Sequence, residues 1–421
     1  MKVVHLAYSD GGGGGAFKAA YRIHRGLAER GVQSVMLVSK RTTGDHSVHD
    51  SGSAAGRLLS ELATSLDAAP WRILRARRSG FSSLAWIGTG AVRRARAMMP
   101  DIVQLHWICA GFVRLEALAE LNYPLVWRLP DMWAMAGAEH YVGNDRRYRD
   151  GYSAQTRPAG EHGVDLNRWV WRRKRRIYAR LPNLTIVAPS QWLARCARES
   201  LLLRDRRIEV IPTGQDVEIF RPIPKRVARE TLRLPTQAKL IMTAATQLAD
   251  QRKGLTYLLQ ALESLRGRGY RLLLLGDPPR APLPLPVDAH WLGRLNDDVA
   301  LALAYSAADV FVAPSTQENL ANTVIEAMAC GVPSVAFDIG GMPDIVRPGV
   351  NGYLAAPFSA DELAQGIVSI LESGEIYYRL SGAARQTVER DFSASLQAQR
   401  YEALYEEILR AQQLPAQLAR C

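Results

Sequence analysis

The chain has 421 residues, 48% apolar and 22% charged, a globular composition too long for one core and suited to two domains of roughly 200 residues. Lysine and arginine exceed aspartate and glutamate by 53 − 41 = 12, which favours nucleic acid, anionic lipid or phosphorylated substrates as partners and says nothing about fold. Cys109, Cys196, Cys330 and Cys421 lack paired spacing, which argues against a disulfide framework or a Cys-rich zinc site and suits a reducing compartment. No run approaches the roughly 18 apolar residues of a membrane span, and the N-terminal stretch lacks the apolar length of a signal peptide.

Val3–Tyr8 reads as a strand buried on both faces. Gly11 to Gly15 follow, then Phe17, Ala20, Tyr21, Ile23 and Leu27 at helical spacing. In this order glycines let backbone approach a phosphate at a helix N-terminus, with Gly13 and Gly14 at the centre of the run; a flexible turn is the plain alternative. No acid follows at the end of the second strand, Ser34–Val38, so this is not the dinucleotide fingerprint. Residues 41–60 are small and polar and predict a mobile loop. Residues 71–97 interleave Trp71, Phe81 and Trp86 with Arg72, Arg75, Arg77, Arg78, Arg93, Arg94 and Arg96, as a solvated helix pair or as a membrane-surface segment.

Asp101–Trp107 is a strand with His106 near its carboxyl end, where open α/β sheets hold ligands and where a histidine also serves local hydrogen bonding. Pro124–Leu129, Leu184–Ala188 and Ile208–Ile211 complete the strands of the first half, and Ser190 is placed to cap a helix. Trp169–Arg176 opens another helix and holds five consecutive basic residues, which cannot all point one way. Pro212–Pro222 has the punctuation of a linker. The alternation then restarts: strands at Lys239–Thr243, Arg271–Leu275 and His290–Gly293, helices at Gly254–Leu265 and Asp297–Ala307. Lys253 precedes the first of these helices, either as a surface cation or as a partner for a leaving diphosphate, with Arg252 beside it.

Asp309–Pro314 is a strand, Asn319–Cys330 has helical periodicity, and Gly331 with Pro333 stops it before a strand opening at Val335. Glu318 sits in the loop ahead of that helix and Glu326 two turns into it. A carboxylate there suits sugar hydroxyls and a helix start suits an anion, so the segment can hold a part-polyol, part-phosphate ligand. A capping acid and a solvated one are the bland alternative. Helices fill 360–372 and 376–390, and Leu396–Leu409 is a long terminal helix.

Pro314-Ser315 before the first acid, Glu326-Ala-Met-Ala-Cys-Gly-Val-Pro333 around the second, and Gly340-Gly341 beyond resemble the Glu-seven-residues-Glu signature of the retaining nucleotide-sugar glycosyltransferases of family 4. The resemblance implies an α/β chain of GT-B fold, two Rossmann-like domains facing across a cleft. These are expected as 1–211 on the acceptor side, a linker at 212–222, a nucleotide-sugar domain at 223–395, and a helix at 396–421 crossing back with a loose tail. It implies that Glu318 contacts the donor sugar and Glu326 the ribose. Asn319 and Leu320 would offer amides to sugar or diphosphate, Gly293 and Arg294 would lie near the base, and Lys253, with Arg252, would oppose the departing charge. His106 would reach the donor sugar, and the glycine run would lie near phosphates and acceptor.

Pro130-Asp131-Met-Trp133 with Glu139-His140-Tyr141 is similar to the exopolysaccharide, colanic-acid-type branch, but Pro130, Ala136 and Glu139 depart from its His, Thr and Cys. Leu248 stands where the family places an arginine. The expected function is hexose transfer, with retention and without metal or cofactor, from a UDP- or GDP-linked donor to a glycan or lipid-linked acceptor of exopolysaccharide or lipopolysaccharide. The expected setting is cytoplasmic, on the inner face of the plasma membrane through an anionic surface. Nucleic acid is not expected, because the basic residues form no recognition module. A same-fold phosphorylase or epimerase, and a non-catalytic anionic-surface protein, are the alternatives.

Overall fold

The computed structural model describes residues 1–11, 14–51, 54–74, 81–278 and 283–418. It divides into two compact units, one of Met1–Ile211 with the segment from Gln397 onward, the other Pro212–Leu396.

Unit 1 is built on a seven-stranded sheet. Its strands are β1 (Lys2–Ser9), β2 (Gln33–Lys40), β3 (Val48–Asp50), β4 (Ile102–Leu105), β5 (Leu125–Arg128), β6 (Leu184–Ala188) and β7 (Arg207–Val210), in the order β3-β2-β1-β4-β5-β6-β7. Every pairing is parallel. Successive side chains on a strand point to opposite faces, so each strand feeds two cores. Val4, Leu6, Val103, Leu105, Trp127 and Ile186 pack one side. Val3, Ile102, Val126 and Val187 pack the other, against Ile23 and Leu27 of the helix Gly15–Glu29 and Tyr401, Leu404, Tyr405 and Ile408 of the helix Ala394–Leu418. The last helix thus completes the core of the first unit.

Unit 2 has β8 (Lys239–Gln247), β9 (Tyr270–Asp277), β10 (Ala289–Gly293), β11 (Val310–Ala313), β12 (Ser334–Phe337) and β13 (Gly352–Ala355), parallel throughout and ordered β10-β9-β8-β11-β12-β13. Alternation again makes two cores: Leu240, Met242, Leu273 and Phe311 face one, Ile241, Leu272, Leu274 and Val312 the other. Asp216 fixes the connecting turn by accepting from the backbone N–H groups of Glu218 and Ile219 at 2.9 and 3.1 Å.

One expectation is corrected. The segment 41–60 is not simply a loop, since it contains β3 paired to β2 and the start of the helix Ala54–Ile73; a strand of three residues has too little alternation to show through polar neighbours. The basic run of the helix Leu166–Tyr178 is split. Arg172, Arg175 and Arg176 are exposed. Arg173 and Lys174 are buried, as are the flanking Trp171 and the distant Trp71. Arg173 makes paired 2.7 Å bonds to both carboxylate oxygens of Glu116 and donates to the carbonyls of Leu84 and Ala85. Arg75, Arg77, Arg78 and Cys421 lie outside the described residues. No helix among the described residues is long and apolar enough to cross a membrane.

Candidate functional site

In unit 2 the loop after β11 and the turn after β8 are held together by backbone. Gly254, at φ +66°, packs so tightly on Pro314 that a Cβ would overlap the Pro314 carbonyl oxygen. Thr316 N–H donates to the Arg252 carbonyl at 2.8 Å. The Gln251–Lys253 turn is therefore pinned beside the residues that lead to Glu318, and Lys253 Nζ meets Glu318 Oε2 at 2.5 Å. The other carboxylate oxygen accepts from Asn319 N–H at 3.2 Å. On the far side Gly340, at φ +54°, lies against the Glu318 carbonyl, where a Cβ would collide, and Gly341 N–H donates to that oxygen at 3.3 Å. Three segments distant in sequence thus fix one ion pair.

Glu318 lies in the loop, and Glu326 is the fifth residue of the helix Asn322–Ala329. Glu326 is buried; its Oε2 accepts from Tyr305 Oη at 2.8 Å and its Oε1 from Gln215 Nε2 at 3.3 Å. Burial, reinforced by this carboxylate, pushes the Tyr305 phenol well above its ordinary range. Neither partner is visible in the sequence, where Gln215 falls within the linker Pro212–Pro222. Asn319 and Leu320 are both buried, Leu320 within a core cluster. Arg252 pairs with Asp250 at 2.5 Å. Leu248, standing where an arginine was expected, is buried in the core. Gly293 ends β10 at φ +65°, and Arg294 beside it approaches Asp277 at 3.9 Å.

In unit 1, Gly14 precedes the helix Gly15–Glu29 and accepts from Phe17 N–H at 3.2 Å, while Gly13 lies outside the described residues. His106 follows β4 and is buried, its Nε2 3.0 Å from His5 Nδ1 with the rings stacked at 5.3 Å. Burial lowers the pKa of both imidazoles well below the ordinary value. Their charged neighbours add to it, His106 and His24 for His5, Arg128 and His24 for His106.

The segment after β5, whose Asp131 and His140 stand in the motif similar to the exopolysaccharide-type branch, carries a second arrangement. Asp131 and His140 meet at 2.7 Å, both buried, and Ser83 Oγ lies 3.0 Å from the other imidazole nitrogen. Lys174, fully buried, crosses beneath and donates to the carbonyls of Trp133, Ala136 and Gly137, its ammonium 3.6 Å from the Trp133 ring centroid. Burial pulls its pKa down to about 7. The visible signal was only a lone lysine among arginines. Among the described residues no group of three or more His, Cys, Asp or Glu is arranged to hold a metal ion.

Comparison with known proteins adds to this geometry. A family model described as Glycosyltransferase Family 4 matches residues 13–219, and one described as Glycosyl transferases group 1 matches residues 238–373. A D-inositol 3-phosphate glycosyltransferase of Mycolicibacterium paratuberculosis is 31% identical over 182 residues, which are 40% of this chain and 40% of that protein. The chain therefore matches well under half the length of this relative. Among solved structures, sucrose-phosphate synthase from Thermosynechococcus elongatus superposes with a TM-score of 0.67 at 19% identity, covering 98% of this chain and 100% of its own. Anabaena HepE in complex with UDP and glucose gives 0.65 at 18%, covering 96% and 99%. WaaG, a glycosyltransferase involved in lipopolysaccharide biosynthesis, gives 0.63 at 15%, covering 96% and 99%. At such identities the likeness is one of fold. With glycosyltransferase models matched in both halves, two parallel α/β units beneath them and a terminal helix completing the first, the chain belongs to the family 4 glycosyltransferases of GT-B fold.

Proposed function

We propose that this chain transfers a hexose, with retention of anomeric configuration, from a UDP- or GDP-linked sugar to a glycan or lipid-linked acceptor in exopolysaccharide or lipopolysaccharide assembly. The Lys253–Glu318 pair carries this reading. A carboxylate and an ammonium held by rigid backbone at one point suit a donor whose sugar presents hydroxyls and whose diphosphate gathers charge as it leaves. Glu318 would accept from a sugar hydroxyl. Lys253 would then turn to the diphosphate, with Arg252 in support and the Asn319–Leu320 backbone alongside. Glu326, already set by Tyr305 and Gln215, would receive the ribose hydroxyls, and Gly293 and Arg294 would border the base. On unit 1, His106 and the Gly13–Gly14 loop would serve the sugar and the acceptor. The UDP and glucose held by HepE support the donor class, and the role of WaaG in lipopolysaccharide biosynthesis supports the pathway class. The chemistry needs no metal if Lys253 and backbone amides meet the charge.

Turnover on a panel of UDP- and GDP-hexoses, with product anomers assigned by NMR, tests the proposal. Titration of UDP and GDP should show a tighter nucleotide, and Glu326→Gln should weaken it by about 1.5–3 kcal/mol, the worth of a charge-assisted hydrogen bond. Unchanged affinity, or no turnover with any donor and acceptor tried, would overturn it.

A contact of unit 1 with an anionic membrane surface at the inner face of the plasma membrane accompanies this reading. Leu62, Leu66 and Ile73 are exposed at helical spacing beside exposed Arg72, and Arg172, Arg175 and Arg176 are exposed on a second helix. Each such cation near the surface contributes about 1 kcal/mol. Arg172, Arg175 and Arg176→Gln should release protein from liposomes containing anionic lipid. Equal sedimentation with neutral liposomes would count against the contact.

A further inference from the structure

A carboxylate inside a protein core is costly unless donors meet it. Glu326 is met by two, from separate parts of unit 2. Tyr305, on the helix Asp298–Ala307, donates its hydroxyl to Oε2 at 2.8 Å, and Gln215, on the segment that opens the unit, donates its amide to Oε1 at 3.3 Å. The Tyr305 ring is packed by Phe220 and Phe311, with ring centroids 6.4 and 5.7 Å away. Gln215 is fixed through its backbone. Its N–H donates to the Phe392 carbonyl and its own carbonyl accepts from Ala394 N–H, both at 2.8 Å. Gly214 before it lies so close to Ala394 that a Cβ would collide.

Exposure separates the three side chains. Gln215 is 0% and Tyr305 1% exposed, against 7% for Glu326, so Glu326 is the member of the group that a ligand can reach. The other two act through it. Gln215 Oε1 is buried and has no hydrogen-bond partner among the described residues. Turning the amide over would set oxygen against oxygen, because an ionised carboxylate only accepts. An amide placed for its own stability would not leave a buried acceptor unmet. This one is placed for Glu326.

The last torsion of a glutamate is ordinarily broad. One donor on each oxygen narrows it and fixes the plane in which the two oxygens lie. A single hydroxyl gains little from that, because a turning carboxylate can follow it. Two neighbouring hydroxyls gain much, because both oxygens must be presented at once, as in other bidentate pairs. We propose that Tyr305 and Gln215 are positioning residues that lock Glu326 for bidentate recognition of the vicinal diol of a ribose, so that the site selects ribonucleotides over their deoxy forms. This deepens the transferase reading and rests on its assignment of Glu326 to the ribose.

Calorimetric titration of the full chain with UDP and GDP, and with the 2′-deoxy and 3′-deoxy forms of each, tests the lock. For the nucleotide that binds, removal of either hydroxyl should raise the dissociation constant about tenfold. Tyr305→Phe keeps the ring between Phe220 and Phe311 and removes only the donor. Gln215→Met keeps the volume and removes the amide. Each should weaken the ribonucleotide about tenfold and leave the deoxy forms near their wild-type affinity, so that the series flattens. Binding of the deoxy forms also shows that the variants fold, and should one variant not fold, the other carries the same comparison. A merely structural role would weaken all three forms alike. That result, a wild type indifferent to one of the hydroxyls, or an unchanged ribonucleotide affinity in either variant would overturn the proposal while leaving the transferase reading in place. A wild type that binds neither UDP nor GDP would overturn both.

Discussion

Lys253 has two demands on its charge, and they separate in a kinetic experiment. Its 2.5 Å contact with Glu318 is partly open to water, so loss of the pair should scarcely change stability. The charge it would oppose on a diphosphate grows only as the bond breaks. Lys253→Ala should therefore lower kcat by about 10²-fold or more while the melting temperature holds. Arg252→Ala should be the milder change, because Asp250 already engages that side chain; a larger loss there would make Arg252 the replacement for the arginine absent at Leu248. Lys174 behaves in the opposite way. It supplies the protons for three carbonyls in a dry site, so Lys174→Met should cost about 2–4 kcal/mol through acceptors left unpaired. Every tryptophan but Trp291 lies in unit 1, so fluorescence-monitored urea unfolding reports that loss directly.

The helix Gly15–Glu29 presses His24 between Ser34 Oγ at 2.7 Å and Ser47 Oγ at 2.9 Å, and burial holds its pKa down at about 4. His5 and His106 beside it are lowered in the same direction. A histidine at about 6.5 in the unfolded chain binds a proton that the folded form refuses. The stability from this cluster is therefore complete above pH 6.5 and drains away as pH falls toward 4. His24 alone should account for about 2–3 kcal/mol of that loss. Unfolding measured between pH 7 and pH 4 should slope steeply in the wild type and less in His24→Gln. The elements themselves were largely legible, because strands such as β1, β4 and β6 are mostly apolar runs, interrupted only by residues such as His5, Gln104 and Thr185, and Ser190 is a plain cap. The Glu318–Glu326 segment was legible through residues packed into one stretch. What stayed hidden depends on partners far away: β3 needs β2, Arg173 needs Glu116, Glu326 needs Tyr305 and Gln215, and the Asp131–His140 pair needs Ser83. Spacing along the chain carries no record of such meetings.

At the scale of the molecule, the helix Ala394–Leu418 begins in unit 2 and from Gln397 belongs to unit 1. Tyr405 is fully buried there, and its hydroxyl donates to Gln104 Oε1 at 2.8 Å. Tyr405→Ala should cost unit 1 about 3–5 kcal/mol, as deletion of a large buried aromatic does. A chain ending at Phe392 should lose the tryptophan-reported transition while unit 2 keeps its helical signal in circular dichroism; an unchanged transition would show that the helix is dispensable. Val3, Ile102, Val126 and Val187 wait for side chains translated some two hundred residues after β7. The usual order of synthesis, with the first domain folding first, is thereby reversed for one face of the sheet. On the ribosome unit 2 can finish while unit 1 still shows an apolar flank, and that flank is where a chaperone would have to bind.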